Sequence, residues 1–190
     1  SLKLISDVAD NDNKTIVVAS GEYFENLQFK KNYVTLKSSS GPASTIINGG
    51  GIGPVVYGIR YKSVIDGFTL KGGNGMYAAG SISAINGYDG HSSIFKNLIV
   101  VENSNGTVIQ ALPNAILENI LIVNNTGNGA ALAYNGCTSE LEDGLINHVT
   151  IANNSNLKGI DFHNQCGSSG SEYRLKLINS AIWGNDLASI

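Results

Sequence analysis

A short apolar segment closed by Asn or Gly recurs along this chain. IDGFTLKGG begins at Ile65, FKNLIVVEN at Phe95, LENILIVNN at Leu117, INHVTIANN at Ile146 and INSAIWGND at Ile178. The starts are 30, 22, 29 and 32 residues apart. A weaker copy, YVTLKSS at Tyr33, puts Leu36 in line with Leu70, Val100, Ile122, Ile151 and Trp183. A β-type unit this short cannot bury its own apolar face. Repeated at this interval, with no helical segment of matching period between copies, it buries that face against its neighbours as a solenoid.

The segments between copies complete a coil. Before the first clear copy, TIVVAS (15–20), ENLQFK (25–30), YVTLKS (33–38) and STIING (44–49) read as short strands. After each later copy comes a second strand: SISAI (81–85), TVIQA (107–111), AALAY (130–134) and GIDFH (159–163). Leu2, Leu4, Ile5 and Val8 have the spacing of a short amphipathic helix, expected within residues 1–12 as a cap over the first coil. Two positions stack: Gly67, Asn97, Asn119, His148 and Ser180, and Gly73, Asn103, Asn125, Asn154 and Asp186, the latter preceded by Asn124, Asn153 and Asn185. Coils sit about 4.8 Å apart, so an Asn amide can donate to the coil above and accept from the one below. These rows are read as Asn ladders. Asn13, Asn105, Asn124 and Asn153 also begin N-x-S/T sequons, but for Asn124 and Asn153 the ladder is the favoured reading.

TIVVASGEYFENLQFKKNYVTLKSSSGPASTIING and the following VIDGFTLKGG resemble the opening coils of the pectin-lyase-like superfamily. The resemblance implies an all-β fold, a right-handed parallel β-helix of about six or seven coils, with residues 1–190 as one domain. It does not fix an activity, because this architecture hosts lyases, hydrolases, esterases, tailspikes and adhesins. Lyases of the group pair an acidic Ca²⁺ site with a basic residue on one sheet's outer face, so Ca²⁺ enters only under a lyase reading. No cofactor or metal is expected otherwise.

Alternation along the repeats gives two sets of side chains, Phe68/Leu70 through Ala181/Trp183 and Thr69/Lys71 through Ile182/Gly184. Both are largely apolar, so one leaves an apolar stripe outside. Ile99, Val101, Leu121, Val123 and Ile182 are the expected interface residues. The stripe is covered either by a partner or by an extruded loop at 50–60 or 72–80. Asp161 and His163 alternate on GIDFHN and form the candidate catalytic pair, a carboxylate beside an imidazole. The plainer reading is a solvated strand face with an inter-coil Glu142–Arg174 ion pair. Tyr57, Tyr61, Tyr77 and Tyr88 lie in Gly-rich stretches and are candidate glycan-binding rings, or else rings that pin loops to the coils.

Composition excludes some partners. With 12 Lys+Arg against 15 Asp+Glu, the chain lacks the basic surplus of a nucleic-acid binder. No apolar run reaches the roughly 20 residues that span a bilayer. Cys137 and Cys166 precede successive copies, and are either a disulfide between coils, implying an oxidising compartment, or two free thiols. No capping segment follows the last copy here, so the expectation is either that the chain is cut from a longer protein or that another chain covers this end. The sequence therefore points first to an extracellular or cell-surface structural or adhesive module that self-associates as a homo-oligomer or polymer, contacts glycans, or both. The alternative is a polysaccharide lyase or glycoside hydrolase.

Overall fold

The computed structural model describes residues 13–77, 82–86, 92–112, 114–136, 143–164 and 175–187. The N-terminal helix expected within residues 1–12, and Cys137 and Cys166, lie outside them. The described chain winds as seven successive coils. The first three each hold three short strands: β1 (Thr15–Val18), β2 (Gly21–Phe24) and β3 (Leu27–Gln28); β4 (Thr35–Ser38), β5 (Thr45–Asn48) and β6 (Val56–Tyr57); β7 (Val64–Asp66), β8 (Thr69–Lys71) and β9 (Ile82–Asn86). In the next three the first two strands run together. These coils hold β10 (Ile94–Val101) and β11 (Thr107–Ala111), β12 (Ile116–Val123) and β13 (Ala130–Gly136), and β14 (Gly144–Ala152) and β15 (Lys158–Asn164). The seventh holds β16 (Leu175–Ile178) and β17 (Ala181–Trp183).

Every strand pairs in parallel with its counterpart one coil away. The result is a parallel β-helix with three faces. Sheet A stacks β1, β4, β7, the first halves of β10, β12 and β14, and β16. Sheet B stacks β2, β5, β8, the second halves of those long strands, and β17. Sheet C has the order β15-β13-β11-β9-β6-β3.

One left-handed residue turns sheet A into sheet B in each later coil: Gly67, Asn97, Asn119, His148 and Asn179 all have positive φ, between 49° and 87°. A second ends sheet B: Gly72, Glu102, Asn124, Asn153 and Gly184. Asn tolerates this conformation better than other residues with a Cβ, which is why Asn and Gly recur here. The interior is apolar. Phe29, Phe68, Phe95, Leu36, Ile47 and Leu70 are fully buried, each contributing about 1.5–3 kcal/mol of transfer free energy.

The turn from sheet B to sheet C carries the buried ladder. Asn103 Nδ2 donates to Asn125 Oδ1 (3.0 Å), Asn125 Nδ2 to Asn154 Oδ1 (3.0 Å) and Asn154 Nδ2 to Asn185 Oδ1 (2.9 Å). Each Oδ1 also accepts the backbone N–H of the residue one coil back. The ladder thus satisfies buried backbone that no sheet reaches.

Three registers differ from the sequence reading. Leu36 pairs with Ile65, on sheet A, and the true partner of Leu70 is Ile47. Each coil holds two apolar strands of similar pattern, and the weak copy was matched to the wrong one. In the last coil Leu177 stacks on Ile146 and Ile182 on Ile151, one residue off the alignment of the two Ile-Asn pairs. The ladder consequently ends on Asn185, not Asp186, and the partner of His148 is Asn179, not Ser180. Asn124 and Asn153 are not ladder members; they are the exposed left-handed bends beside it. Residues 50–60 supply β6 in sheet C rather than a cover for the stripe.

Candidate functional site

Sheet B presents two outward columns. One runs Glu22, Ile46, Thr69, Ile99, Leu121, Thr150, Ala181; the other runs Phe24, Asn48, Lys71, Val101, Val123, Ala152, Trp183. The alternate residues Leu98, Val100, Ile120, Ile122, Val149 and Ile151 point inward and are at most 2% exposed. Of the expected interface residues, Ile99, Val101, Leu121 and Val123 therefore share the outer face. Ile182 does not: it packs against the core, and the outward residues of its strand are Ala181 and Trp183. From the fourth coil onward the floor is apolar apart from Thr150. Leu121 is 37% and Trp183 53% exposed.

The left-handed bends border this floor on both sides. Asn97, Asn119, His148 and Asn179 make one rim, and Glu102, Asn124 and Asn153 the other. All but the half-buried Asn97 are exposed. Along the first rim Asn97 Nδ2 donates to Asp66 (2.6 Å) and Asn119 Nδ2 to Asn97 Oδ1 (2.8 Å), each keeping a second N–H. The side chains of Asn124 and Asn153 make no hydrogen bond among the described residues. Five residues separate Asn97 from Glu102, so the rims stand about 16 Å apart at extended spacing.

The first three coils differ. Glu22 Oε1 accepts from Asn48 Nδ2 (2.9 Å) and lies 3.1 Å from Lys71 Nζ. The Asn48 hydrogen bond first, and the Lys71 ammonium second, hold this carboxyl below the usual carboxylate range. On sheet A, Asp66 is only 6% exposed, with Lys37 Nζ at 3.8 Å, Lys96 Nζ at 3.6 Å and the Asn97 amide against it. Sequence reading missed this cluster by following only the sheet B repeat. Its signal is a column one residue before each bend: Lys37, Asp66, Lys96, Glu118, Asn147.

Sheet C places the remaining candidates. Asp161 is half-buried on β15, between buried Ile160 and Phe162, which is 49% exposed rather than core and stacks on Tyr134 (5.9 Å, 22°). Its Oδ1 lies 3.2 Å from Lys158 Nζ on the same strand. His163 pairs by backbone with Asn135; its side chain lies outside the described residues, as do Glu142 and Arg174. Across the next coil boundary, Lys176 pairs with Asp143 at 2.8 Å. Tyr57 is on β6 in sheet C. Tyr61 is at the turn into sheet A, edge-on to Tyr33 (5.4 Å, 83°) with Lys62 over its ring. The side chain of Tyr77, and all of Tyr88, lie outside the described residues.

A hollow of about 250 Å³ at the B–C corner is lined, among the described residues, by Met76, Asn105, Gly106 and Asn128, none of them titratable. Among the described residues no three acidic, His or Cys side chains cluster as metal ligands, and no helix is long and apolar enough to cross a membrane.

No family model matches the chain, and no curated protein does. Solved structures similar to it include a pectin methylesterase from Aspergillus niger. That match has 16% identity over 87% of this chain and 66% of that one, with a TM-score of 0.43. A pectin methylesterase from Yersinia enterocolitica matches at 12% identity over 100% and 91%, TM-score 0.43. One from Erwinia chrysanthemi matches at 12% over 81% and 58%, TM-score 0.35. Likeness at this level transfers neither activity nor substrate to this chain.

Proposed function

We propose that this chain is an extracellular β-helix module that holds a polysaccharide along the outer face of sheet B. The supporting observation is the pairing of an apolar floor with amide rims on both sides. A pyranose ring has the matching division, with C–H faces that favour apolar and aromatic surface and hydroxyls around its edge. Retardation in native gels cast with a panel of polysaccharides tests it. At least one polymer should slow the protein, and Leu121→Asp should remove that effect while leaving the fold intact. If the whole panel leaves the mobility unchanged, the proposal fails. Self-association through the same floor, expected from the sequence, is the competing occupant; it would show as a concentration-dependent mass in light scattering.

Cleavage of the held chain is the second reading, and Asp66 favours it. It is a nearly buried carboxylate one residue from the rim, held in place by Lys37, Lys96 and the Asn97 amide, and so positioned beside a chain lying there. Release of new chain ends, abolished by Asp66→Asn, would support this reading. Loss of activity in Asp161→Asn instead would move the chemistry to sheet C, with His163. Tyr57 and Tyr61 would then be candidate sugar-stacking rings near that face.

A further inference from the structure

Resting on that reading, we infer that the polysaccharide held on sheet B is uncharged and linked through equatorial positions, so that it lies as a flat ribbon. Charge argues first. From the fourth to the seventh coil, the only ionisable side chains on the floor or its rims, among the described residues, are Glu102 and His148. The nearest cations, Lys71 and Lys96, are taken by Glu22 and Asp66. A uronate carboxylate laid on Ile99, Val101, Leu121 and Val123 would lose water and gain no cation, which is costly. A neutral ring loses only weakly hydrated C–H surface there.

Shape argues second. The floor is the outer surface of a parallel sheet, two side chains wide, running straight along the solenoid. Equatorial 1,4-linkage extends the chain as a flat ribbon, with C–H faces down and hydroxyls to each side. Axial linkage coils the polymer and lifts alternate rings off a flat support. The rims repeat at about 4.8 Å, one coil per step, so Asn119 and Asn179 on one side and Asn124 and Asn153 on the other can meet hydroxyls along the ribbon. The exposed indole of Trp183, in the last described coil, can stack on a ring face.

The test compares four polymers in affinity gels on the full chain: hydroxyethylcellulose and mixed-linkage β-glucan (neutral, equatorial), soluble starch (neutral, axial) and polygalacturonate (acidic). The two β-glucans should retard the protein, at least tenfold more strongly than starch or polygalacturonate. Trp183→Ala and Leu121→Asp should each weaken that retardation by tenfold or more, whereas Asp161→Asn should not. Trp183 is at the exposed edge, so its variant keeps the test valid if Leu121→Asp misfolds. Preference for polygalacturonate or starch would overturn this inference and leave the polysaccharide reading standing. No retardation by any polymer, or a dimer that Leu121→Asp dissociates, would overturn both.

Discussion

Asn124 and Asn125 are adjacent and identical, yet the structure gives them opposite roles, so substituting them should have very different consequences. Asn125 is fully buried. Its Nδ2 lies 3.0 Å from the carbonyls of Val100 and Val123 and from Asn154 Oδ1, and its Oδ1 accepts from both the backbone N–H and Nδ2 of Asn103. In Asn125→Ala the Asn103 N–H is left buried without an acceptor, costing about 1–3 kcal/mol. The bonds to Val100, Val123 and Asn154 are lost as well, at roughly 0.5–1.5 kcal/mol each. Partial relaxation, with water entering the space, brings the expected total to about 3–5 kcal/mol, a large part of a stability that for domains is typically about 5–15. Asn124 loses no side-chain bond, and Asn124→Ala costs only the left-handed backbone penalty, about 1 kcal/mol. Asn124→Gly should be within about 0.5 kcal/mol of the parent. Urea unfolding followed by circular dichroism measures all three, with the slope checked so that loss of cooperativity along the solenoid is not mistaken for lost stability. Equal shifts for Asn124→Ala and Asn125→Ala, or a larger one at Asn124, would refute the ladder as described.

Other substitutions test other parts of the structure. Asp66→Lys stacks three ammonium groups on successive coils and should destabilise by about 2–4 kcal/mol at low salt, with Asp66→Asn milder; high salt should narrow the gap, by urea midpoint. Gly73→Ala would drive its Cβ into the Ser83 carbonyl group and Asn103 Oδ1, so loss of soluble folded protein on expression is expected. The Glu22 carboxyl, followed by NMR, should titrate below an ordinary glutamate. Asn48→Ala and Lys71→Met should each raise that midpoint. Because the folded pKa is lowered, any stability Glu22 confers is present above its unfolded pKa and fades as pH falls through the folded one.

The fold was legible because a solenoid writes its core position once per coil, and five copies of one apolar triplet are hard to misread. What failed was register. Two apolar strands per coil share a pattern, so Leu36 went to the wrong sheet. The Ile-Asn pairs of the sixth and seventh coils looked equivalent while the backbone placed them one residue apart, which turned Ile182 inward and Trp183 out. The Asn rows were found, but neighbouring asparagines have the same letter whether the side chain bridges coils or marks a left-handed bend. Backbone φ decides that, and composition does not encode it. The floor of the site was legible as an apolar stripe. Its rims were not, because they emerge only when the bends are seen to project on either side of sheet B. The Asp66 cluster is charge on the neighbouring sheet, outside the repeat that drew attention.

Trp183 is the sole tryptophan in the chain and lies on the proposed floor, so its fluorescence reports directly on the central claim. Titration with a soluble β-glucan oligosaccharide should shift its emission to the blue and protect it from acrylamide quenching, saturating at the ligand concentration that saturates gel retardation. Saturable retardation with unchanged emission and unchanged quenching would place the polysaccharide elsewhere and contradict the account.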